Sequence, residues 1–470
     1  MRRTRGLVVL AGLVGLAILV SPGTASAHPL GNFTVNLYSG IVVEPGRLRV
    51  NYVMDMAEIP TFQEMHLIDA NGDGKADPSE LSSYATTKSA ELAPGVVATV
   101  GDRRIRWRVT SSAARFRPGQ GGLPILRLQA VLQAPLPPVG TVRLVDRNYP
   151  GRIGWREITA LGAEGEVART ASVPSRSVSH ALLHYPVDLL TSPLHVTRAT
   201  VSFGPGTSGA APGLPTGPAT GPRPAVTGGA FARLATWSGL SLPALAGALF
   251  LALGFGAAHA LLPGHGKTIM AAYLVGRGGR RTQAVQVGMA VALMHTVSVI
   301  ALGLVVLALT AYAPEQAYPW LTLASGLCVL ALGIGMVWIR RKSSQHPHAH
   351  GHDHPHPHPH AGPPHEKPLS RRSLMGLALA GGILPSPTAL VVLLSTVHQH
   401  RVGFGLALIV AFSLGLAGAL VGVGILALRA RAVIAPRLTG RLAHAVPILS
   451  AAAIAVVGVV LVSQAAARLS

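Results

Sequence analysis

Apolar residues are distributed differently in the two halves of the chain. Between about residues 28 and 203, short apolar runs alternate with polar residues, which is typical of half-buried β-strands. From about residue 238 onward, the chain carries long runs that are almost free of charge. The pattern predicts a β-rich domain followed by a polytopic α-helical membrane part.

The polar segment 28–203 is predicted to be the β-rich domain. The run "VNLYSGIVVEPGRLRVNYVMDM" predicts a hairpin that turns at Pro45-Gly46, because partly alternating runs flank a turn-forming pair. Further strands are predicted for "RRIRWRVT", "PILRLQAVLQA", "TVRLVDR" and "HVTRATVSF". Residues 204–229 are rich in Gly, Pro, Ser and Thr, so they are predicted to be a linker.

Segment 230–470 is predicted to cross the membrane six times, since a bilayer core requires about 20 apolar residues of helix. The runs lie near residues 240–262, 284–310, 319–339, 373–397, 402–428 and 446–463. Proline-rich breaks fall at Leu262-Pro263-Gly264 in span one and at Leu384-Pro385-Ser386-Pro387 in span four. Broken helices at matching positions indicate a 3+3 inverted repeat around a central transport site.

Composition supports a membrane protein. Only 12% of the 470 residues are charged, whereas soluble proteins carry about 25%. The net charge of +21 comes without a basic patch with interleaved aromatic residues, so we expect no nucleic-acid partner. Cys328 is the only cysteine, which excludes an intramolecular disulfide and a thiolate metal site. The chain shows no acid–base constellation, and we predict that it is not an enzyme.

Residues 1–27 have the pattern of a secretory signal peptide, with "MRRTR", an apolar core and Ala25-Ser26-Ala27 before the cleavage point. The β-rich domain is therefore predicted to be extracytoplasmic, and the helices to cross the cell (plasma or inner) membrane. The positions of the Lys and Arg residues support the same orientation, because these residues cluster in the loops after spans one, three and five. The positive-inside rule places those loops in the cytoplasm, and the outer loops hold only Arg401.

The stretch "HALLPGHGKT", residues 259–268, ends like a phosphate-binding loop. That loop requires a glycine where Leu261 stands, and it follows a strand of a soluble α/β unit rather than a long charge-free run. No nucleotide partner is therefore expected. The histidines of the stretch, His259 and His265, are the better candidates for chemistry, because the intervening break lets both imidazoles turn toward one point.

His295 lies in the middle of span two. A histidine within a span is rare and by default faces the interior of the helix bundle. Neutral imidazole binds Ni, Co, Cu and Zn well, so His259, His265 and His295 are predicted to line the path of a divalent metal ion. A hydrogen bond between packed helices is the alternative role for each histidine.

A histidine-rich tract lies in the cytoplasmic loop 343–368. Alternating Pro and Gly keep this tract extended, so it offers many exchangeable imidazoles without fixed geometry. Collection or buffering of metal fits it better than a tight site does, and an inert linker is the alternative. The histidines are His346, His348, His350, His352, His354, His356, His358, His360 and His365.

The run "DANGDGKADPSE", Asp69–Glu80, matches the calcium-loop pattern in full. Gly74 allows the sharp turn, and two short helices are predicted on either side. Ca²⁺ is predicted as a structural ion there, and an Asp/Gly-rich turn without an ion is the alternative. The predicted ligands are Asp69, Asn71, Asp73, the Lys75 carbonyl, Asp77 through water, and Glu80.

The stretches "HALLPGHGKTIMAAYLVG", "HTVSVIALGL" and "GGILPSPTALVVLL", with the histidine-rich loop, resemble the nickel/cobalt exporter family of the NicO/RcnA type. The resemblance covers about residues 240–463, and "HPLGNFTVN" and "YPGRIGWREI" resemble an exported domain that some members carry. It implies a six-span permease that moves Ni²⁺ or Co²⁺ out of the cytoplasm through the histidines of spans one and two. Leu262 and Ser386 depart from the family pattern.

Two other functions compete with export. The first is nickel or cobalt uptake, but the importers usually carry an aspartate before the second histidine, where this chain has Gly264. The second is a membrane-anchored calcium- or metal-sensing protein whose spans serve only as anchors. Three histidines within the spans argue against simple anchoring.

Overall fold

The structure is a computed structural model that describes residues 30–190, 192–207, 234–236, 241–261, 280–308, 317–343, 371–434 and 441–469. A β-rich part is followed by long apolar helices, as the sequence predicts. The predicted signal peptide and nearly all of the predicted linker lie outside the described residues. The last strand ends at Pro205, so it extends slightly into the segment predicted as linker.

The first of two five-stranded sheets has the order β5-β6-β2-β1-β8. The predicted hairpin is confirmed, since β1 and β2 are antiparallel with Glu44 opposite Arg47. Gly46 forms the turn with a φ of +68°, a conformation that glycine adopts without strain. Strand β8 pairs with β1 in parallel. The strands are β1 Val35–Glu44, β2 Arg47–Met56, β5 Arg108–Pro118, β6 Pro124–Pro135 and β8 Arg156–Gly162.

The second sheet has the order β4-β3-β7-β10-β9. Apolar residues of both sheets form one hydrophobic cluster, which contains Ile41 and Leu128 from the first sheet and Leu144 and Phe203 from the second. Burying such side chains contributes about 1.5–3 kcal/mol each. The strands are β3 Val96–Val100, β4 Arg103–Arg104, β7 Gly140–Asp146, β9 Glu166–Ala171 and β10 Arg198–Pro205.

The motif "YPGRIGWREI" builds part of this domain. Trp155 is fully buried, and its indole nitrogen donates a hydrogen bond of 2.9 Å to the Glu157 carboxylate. That carboxylate also accepts the Val178 amide at 2.7 Å. The Arg156 guanidinium donates to the carbonyls of Asn148 and Tyr149. The described residues therefore give this motif a structural role, in which a buried acid is satisfied by several donors.

Two helices flank the predicted calcium loop, as expected. Helix α1 spans Glu58–Ile68 and helix α2 spans Pro78–Leu92. Asp77 caps α2 by accepting the amides of Ser79 and Glu80, and Glu80 reaches back to the Asp77 amide at 3.0 Å. This capping box is a strong helix-start signal, and it explains why Pro78 does not disturb the exit helix.

The described residues of the second half of the chain are mostly helical. Among the described residues, four helices are long and apolar enough to cross a membrane. A bent pair of helices, Met375–Gly382 and Pro387–His398, gives a fifth candidate. At the sixth predicted span, the described apolar helix is the shorter stretch Ala451–Ala466. Six crossings therefore stay a prediction. The helices are α3 Leu242–Leu261, α4 Arg281–Ala308, α5 Ala317–Ser343, α6 Arg371–Gly382, α7 Pro387–His398, α8 Val402–Ile434 and α9 Arg441–Leu469.

The long helices pack in pairs that depend on small residues. Helix α3 packs on α8, where Gly256 lies against the backbone of Phe412 and Gly415 lies against the backbone of Leu253. Helix α5 packs on α9 in the same manner, with Gly333 against Ala455. Helix α4 contacts both α8 and α6. Glycines at these contacts let the backbones approach closely, which is how helices associate inside membranes.

Candidate functional site

Two of the three predicted path histidines lie close together. His259 is in the last turn of α3, and the buried His295 is in the middle of α4. Their ring centroids are 6.1 Å apart, and the Phe412 ring of α8 contacts both at 5.6 and 6.3 Å. His265 and Lys267 lie outside the described residues, so their prediction stands untested.

Among the described residues, one ring nitrogen of His295 forms a hydrogen bond and the other does not. It makes a hydrogen bond with the backbone of Leu384, which lies in the break between α6 and α7. Its Nε2 atom is buried and has no hydrogen-bond partner within the described ranges. Metal-binding histidines commonly use one ring nitrogen for a backbone carbonyl and leave the other for the ion. The arrangement therefore fits a ligand as well as a packing residue.

The break predicted at Leu384–Pro387 is confirmed. Helices α6 and α7 meet at an angle of 75°. Gly382 lies so close to α4 that an added Cβ would come within 2.4 Å of the Val291 oxygen and 3.0 Å of the His295 nitrogen. Ser386 caps α7 by accepting the Ala389 amide at 3.5 Å. The break thus lies directly beside the histidine pair.

Hydroxyl groups from neighbouring helices satisfy the carbonyls that the break leaves without helical partners. Ser298 donates to the Gly382 oxygen at 3.1 Å, and Ser325 donates to the Ala380 oxygen at 2.8 Å. Tyr318 donates to the Pro385 oxygen at 3.2 Å. Backbone carbonyls inside a membrane must find such partners, because no water is present in the bilayer core. The sequence reasoning missed these residues, although isolated hydroxyls in apolar spans were their signal.

The predicted calcium loop adopts a turn dominated by its own carboxylates. The Asp69 carboxylate accepts the amides of Gly72, Asp73 and Gly74 at 2.8–3.1 Å. Gly74 has a φ of +79°, the conformation that the sharp turn demands. The Glu80 carboxylate accepts the Ala70 amide at 3.0 Å and so folds back across the loop. These contacts bond the Asp69 and Glu80 carboxylates to backbone amides of the same loop.

Asp73 and Asp77 of the loop are exposed. The hydrogen bond from the Glu80 amide, followed by that from the Ser79 hydroxyl, lowers the pKa of the exposed Asp77. Asp77 therefore stays ionised. Within the described ranges, no three His, Cys, Asp or Glu side chains converge to hold a metal. A calcium ion would consequently need the Asn71 side chain, a backbone carbonyl and a small adjustment of the acids.

The histidine-rich tract lies entirely outside the described residues, as does the end of "HALLPGHGKT". The predictions for His346, His348, His350, His352, His354, His356, His358, His360 and His365 therefore rest on the sequence alone. The same holds for the break predicted at Pro263-Gly264.

A bundle of apolar helices, with paired imidazoles beside a broken span, defines the class of multi-span membrane transporters. Comparison with known sequences agrees. The sequence model of the NicO family, described as "High-affinity nickel-transport protein", matches residues 245–372. No solved structure matches the chain.

Relatives extend the match. The nickel/cobalt efflux system RcnA of Escherichia coli strain K12 is 32% identical over 244 residues, which cover 44% of this chain and 89% of the relative. A putative nickel/cobalt efflux system of Methanocaldococcus jannaschii is 28% identical over 205 residues, covering 43% of this chain and 86% of the relative. The chain therefore belongs to the NicO/RcnA family, and the predicted resemblance is confirmed. Less than half of the chain takes part in these matches.

Proposed function

We propose that this chain exports Ni²⁺ or Co²⁺ from the cytoplasm through a path lined by His259, His265 and His295. The observation that carries the proposal is the pairing of His259 with His295 beside the α6–α7 break, where the buried Nε2 of His295 has no hydrogen-bond partner within the described ranges. Imidazole nitrogen is a preferred ligand of both metals. The names of the relatives, nickel/cobalt efflux systems, support the same substrates.

Export is proposed over uptake for two reasons. The positive-inside rule places the histidine-rich loop in the cytoplasm, where it would collect metal for an outward route. The two relatives described above are named nickel/cobalt efflux systems. The signal-like segment 1–27 supports a β-rich domain on the outer side of the cell membrane. The competing function from another class is a membrane-anchored sensing protein whose spans serve only as anchors.

The helix pairing supports a 3+3 inverted repeat. In such a repeat, helix α3 corresponds to the bent pair and α4 corresponds to α8. A pseudo-two-fold axis then relates the packing of α3 on α8 to the packing of the bent pair on α4, and both contacts exist. The contacts of α4 with α8 and of α5 with α9 lie across the same axis. The His295 ring of α4 lies 6.3 Å from the Phe412 ring of α8, centroid to centroid. The proposed repeat puts its axis at the contact of these two helices, where substrate sites of such transporters lie.

Replacing His265 should end nickel efflux, whereas replacing Lys267 should leave much of it, because the proposed path needs imidazole and has no phosphate for Lys267 to bind. Cells that express the His265→Ala variant should accumulate as much Ni²⁺ as cells without the protein, as measured by elemental analysis. Lys267→Ala is the matched control. Robust ATP or GTP binding that is lost in Lys267→Ala, with normal efflux by His265→Ala, would reverse the assignment. Parallel assays with Co²⁺, Zn²⁺ and Cd²⁺ report selectivity.

We further propose that the Asp69–Glu80 loop binds Ca²⁺ as a structural ion. Its affinity is expected to be weak, roughly 10⁻⁴–10⁻³ M, as in extracellular modules. Calcium at about ten times this Kd, in the millimolar range, should stabilise the folded domain by about 1.4 kcal/mol. Glu80→Gln should remove the calcium-dependent rise in Tm of the full-length protein. Asp102→Asn, at an exposed carboxylate outside the loop, should keep it. If the unaltered chain shows no rise at millimolar calcium, no ion is bound.

The histidine-rich loop is proposed to tune transport without forming the path. Its alternating Pro and Gly offer no fixed coordination geometry, so it supplies metal to the path rather than a site within it. Deleting residues 346–365 should raise the cytosolic metal concentration needed for half-maximal efflux while the maximal rate survives. Transport measured against metal concentration in inverted vesicles tests this. Complete loss of transport by a normally inserted deletion variant contradicts the proposal.

A further inference from the structure

The β-rich domain has a second apolar contact besides its own core. Three of its side chains, Phe33, Ile59 and Leu123, belong to a hydrophobic cluster that they share with the membrane helices. We call these three residues the docking face. Their exposed fractions are only 7%, 0% and 1%. Their partners include Leu390, Val391 and Leu394 of α7 and the short turn Leu234–Thr236 that precedes α3.

Hydrogen bonds fix the same contact. The Ser395 hydroxyl of α7 donates to the carbonyl of Gly121, in a tight turn of the domain. That turn is held from behind, because Glu58 accepts the Gln120 amide at 2.8 Å and Asn32 donates to the Gln120 side chain at 2.8 Å. The buried Ser395 therefore meets a preorganised acceptor rather than a free loop. A contact of this kind specifies one orientation of the domain on α7.

A short series of contacts joins the docking face to the break. The Phe33 ring packs edge-on against Tyr318 of α5, with ring centroids 5.2 Å apart. The Tyr318 hydroxyl donates to the Pro385 carbonyl, next to the Leu384 backbone that bonds with His295. One aromatic ring thus lies between the domain and the break. A second aromatic contact, Phe62 against His398 at 6.5 Å, covers the far end of α7.

The packing of α7 shows what the domain contributes. Every residue from Ala389 to Thr396 is buried, so this half-helix is covered on all sides. Helices α4 and α8 cover part of it, and the domain covers the remainder. A half-helix next to a 75° break has few restraints along the chain, because Pro385 and Pro387 interrupt its backbone hydrogen bonds. Its position consequently depends on its lateral contacts.

We propose that the β-rich domain is a gate element: its docking face holds α7 in the bent position and closes the break from the domain side. Release of the docking face lets α7 move away from Tyr318 and exposes the break. The inference goes beyond metal export and stands on the contacts of the docking face. In this proposal the break and α7 move between two positions, as a coupling between domain and path requires.

Thiol labelling of the full-length protein tests the gate. In a Cys328→Ser background, Ser386→Cys places a reporter thiol at the buried start of α7. Tyr318→Phe keeps the ring against Phe33 and removes only the hydroxyl link to Pro385. Ser395→Ala removes only the link to Gly121. Each variant should raise the rate of maleimide labelling up to about tenfold, the factor that one hydrogen bond of typical net strength permits.

Ile59→Asp should raise labelling further, because it places a charge inside the docking face. Val139→Asp, at a domain residue that is 59% exposed, is the matched control and should leave the rate unchanged. If Ile59→Asp fails to fold, the Tyr318 and Ser395 variants decide alone. Equal labelling in all folded variants overturns the proposal. The readout needs no metal, so failure of the export proposal is detected separately by the efflux assay.

Discussion

Alanine in place of His295 is expected to abolish metal transport while the protein still inserts and folds. The imidazole offers a buried Nε2 without a hydrogen-bond partner in the described ranges, 6.1 Å ring to ring from His259. No other described side chain can supply that ligand from the middle of α4. Loss of even a supporting group of a metal site costs about 10–100-fold, so loss of the ligand should reduce the rate by on the order of 100-fold or more.

The measurement is nickel flux into inverted vesicles, with protein amount and size-exclusion profile recorded for each variant. His259→Ala should behave in the same way, because its ring lies 6.1 Å from that of His295, centroid to centroid, in the same proposed path. Leu293→Ala lies on the same helix, with a side chain that is 66% exposed, and should transport normally. Transport by His295→Ala at the level of Leu293→Ala would assign His295 to helix packing and remove the central ligand from the proposed path.

Adding one methyl group at Gly256 or Gly415 is expected to destabilise the helix bundle and to lower its melting temperature. A Cβ at Gly256 would come within 1.8 Å of the Phe412 oxygen, and a Cβ at Gly415 within 1.9 Å of the Leu253 oxygen. Both obstacles are backbone atoms, so no side-chain rotation relieves the clash. The helices must therefore separate. Overpacking typically costs about 1–3 kcal/mol, and we expect these substitutions to cost at least that much. Phe412 would also move away from the two histidines.

The chain supplies its own controls for this experiment. Gly254 lies on the same helix as Gly256, and Gly418 lies on the same helix as Gly415, yet neither has an atom within 4 Å of an added Cβ. Gly254→Ala and Gly418→Ala should therefore be neutral or slightly stabilising, since alanine favours helix by about 1 kcal/mol. Thermal unfolding in detergent compares the four variants. Equal melting temperatures would show that α3 and α8 do not pack as described.

Features set by local sequence were predicted well. The hairpin at Gly46, the helices on either side of the Asp69 loop and the break at Pro385 all follow from short motifs whose geometry is largely independent of the rest of the chain. The apolar runs likewise located the long helices to within a few residues, because the bilayer thickness sets their length. No local motif predicts the pairing of His259 with His295. The rarity of histidine within membrane spans was the signal that pointed to both residues.

Long-range features were not predicted. The parallel pairing of β1 with β8 joins segments far apart in sequence, which no local pattern encodes. Arg127 lies in a run predicted as an ordinary strand, yet it is fully buried beside Asp55 and donates to the Ala181 carbonyl at 2.7 Å. A buried arginine is readable only when its partners are known. The docking face was missed for a similar reason, since Phe33 and Leu123 look like residues of the domain core.

The break also brings two helix ends of opposite partial charge together. Helix α6 ends there with its carbonyl end, which carries a partial negative charge, and α7 begins there with its amide end, which carries a partial positive charge. Hydroxyl groups partly neutralise both ends: Ser386 accepts an amide of α7, and Ser298 and Ser325 donate to the carbonyls of Gly382 and Ala380. For an ion that passes the break, the helix ends would favour neither sign of charge, and the choice of ion would fall to the ligand chemistry of the imidazoles.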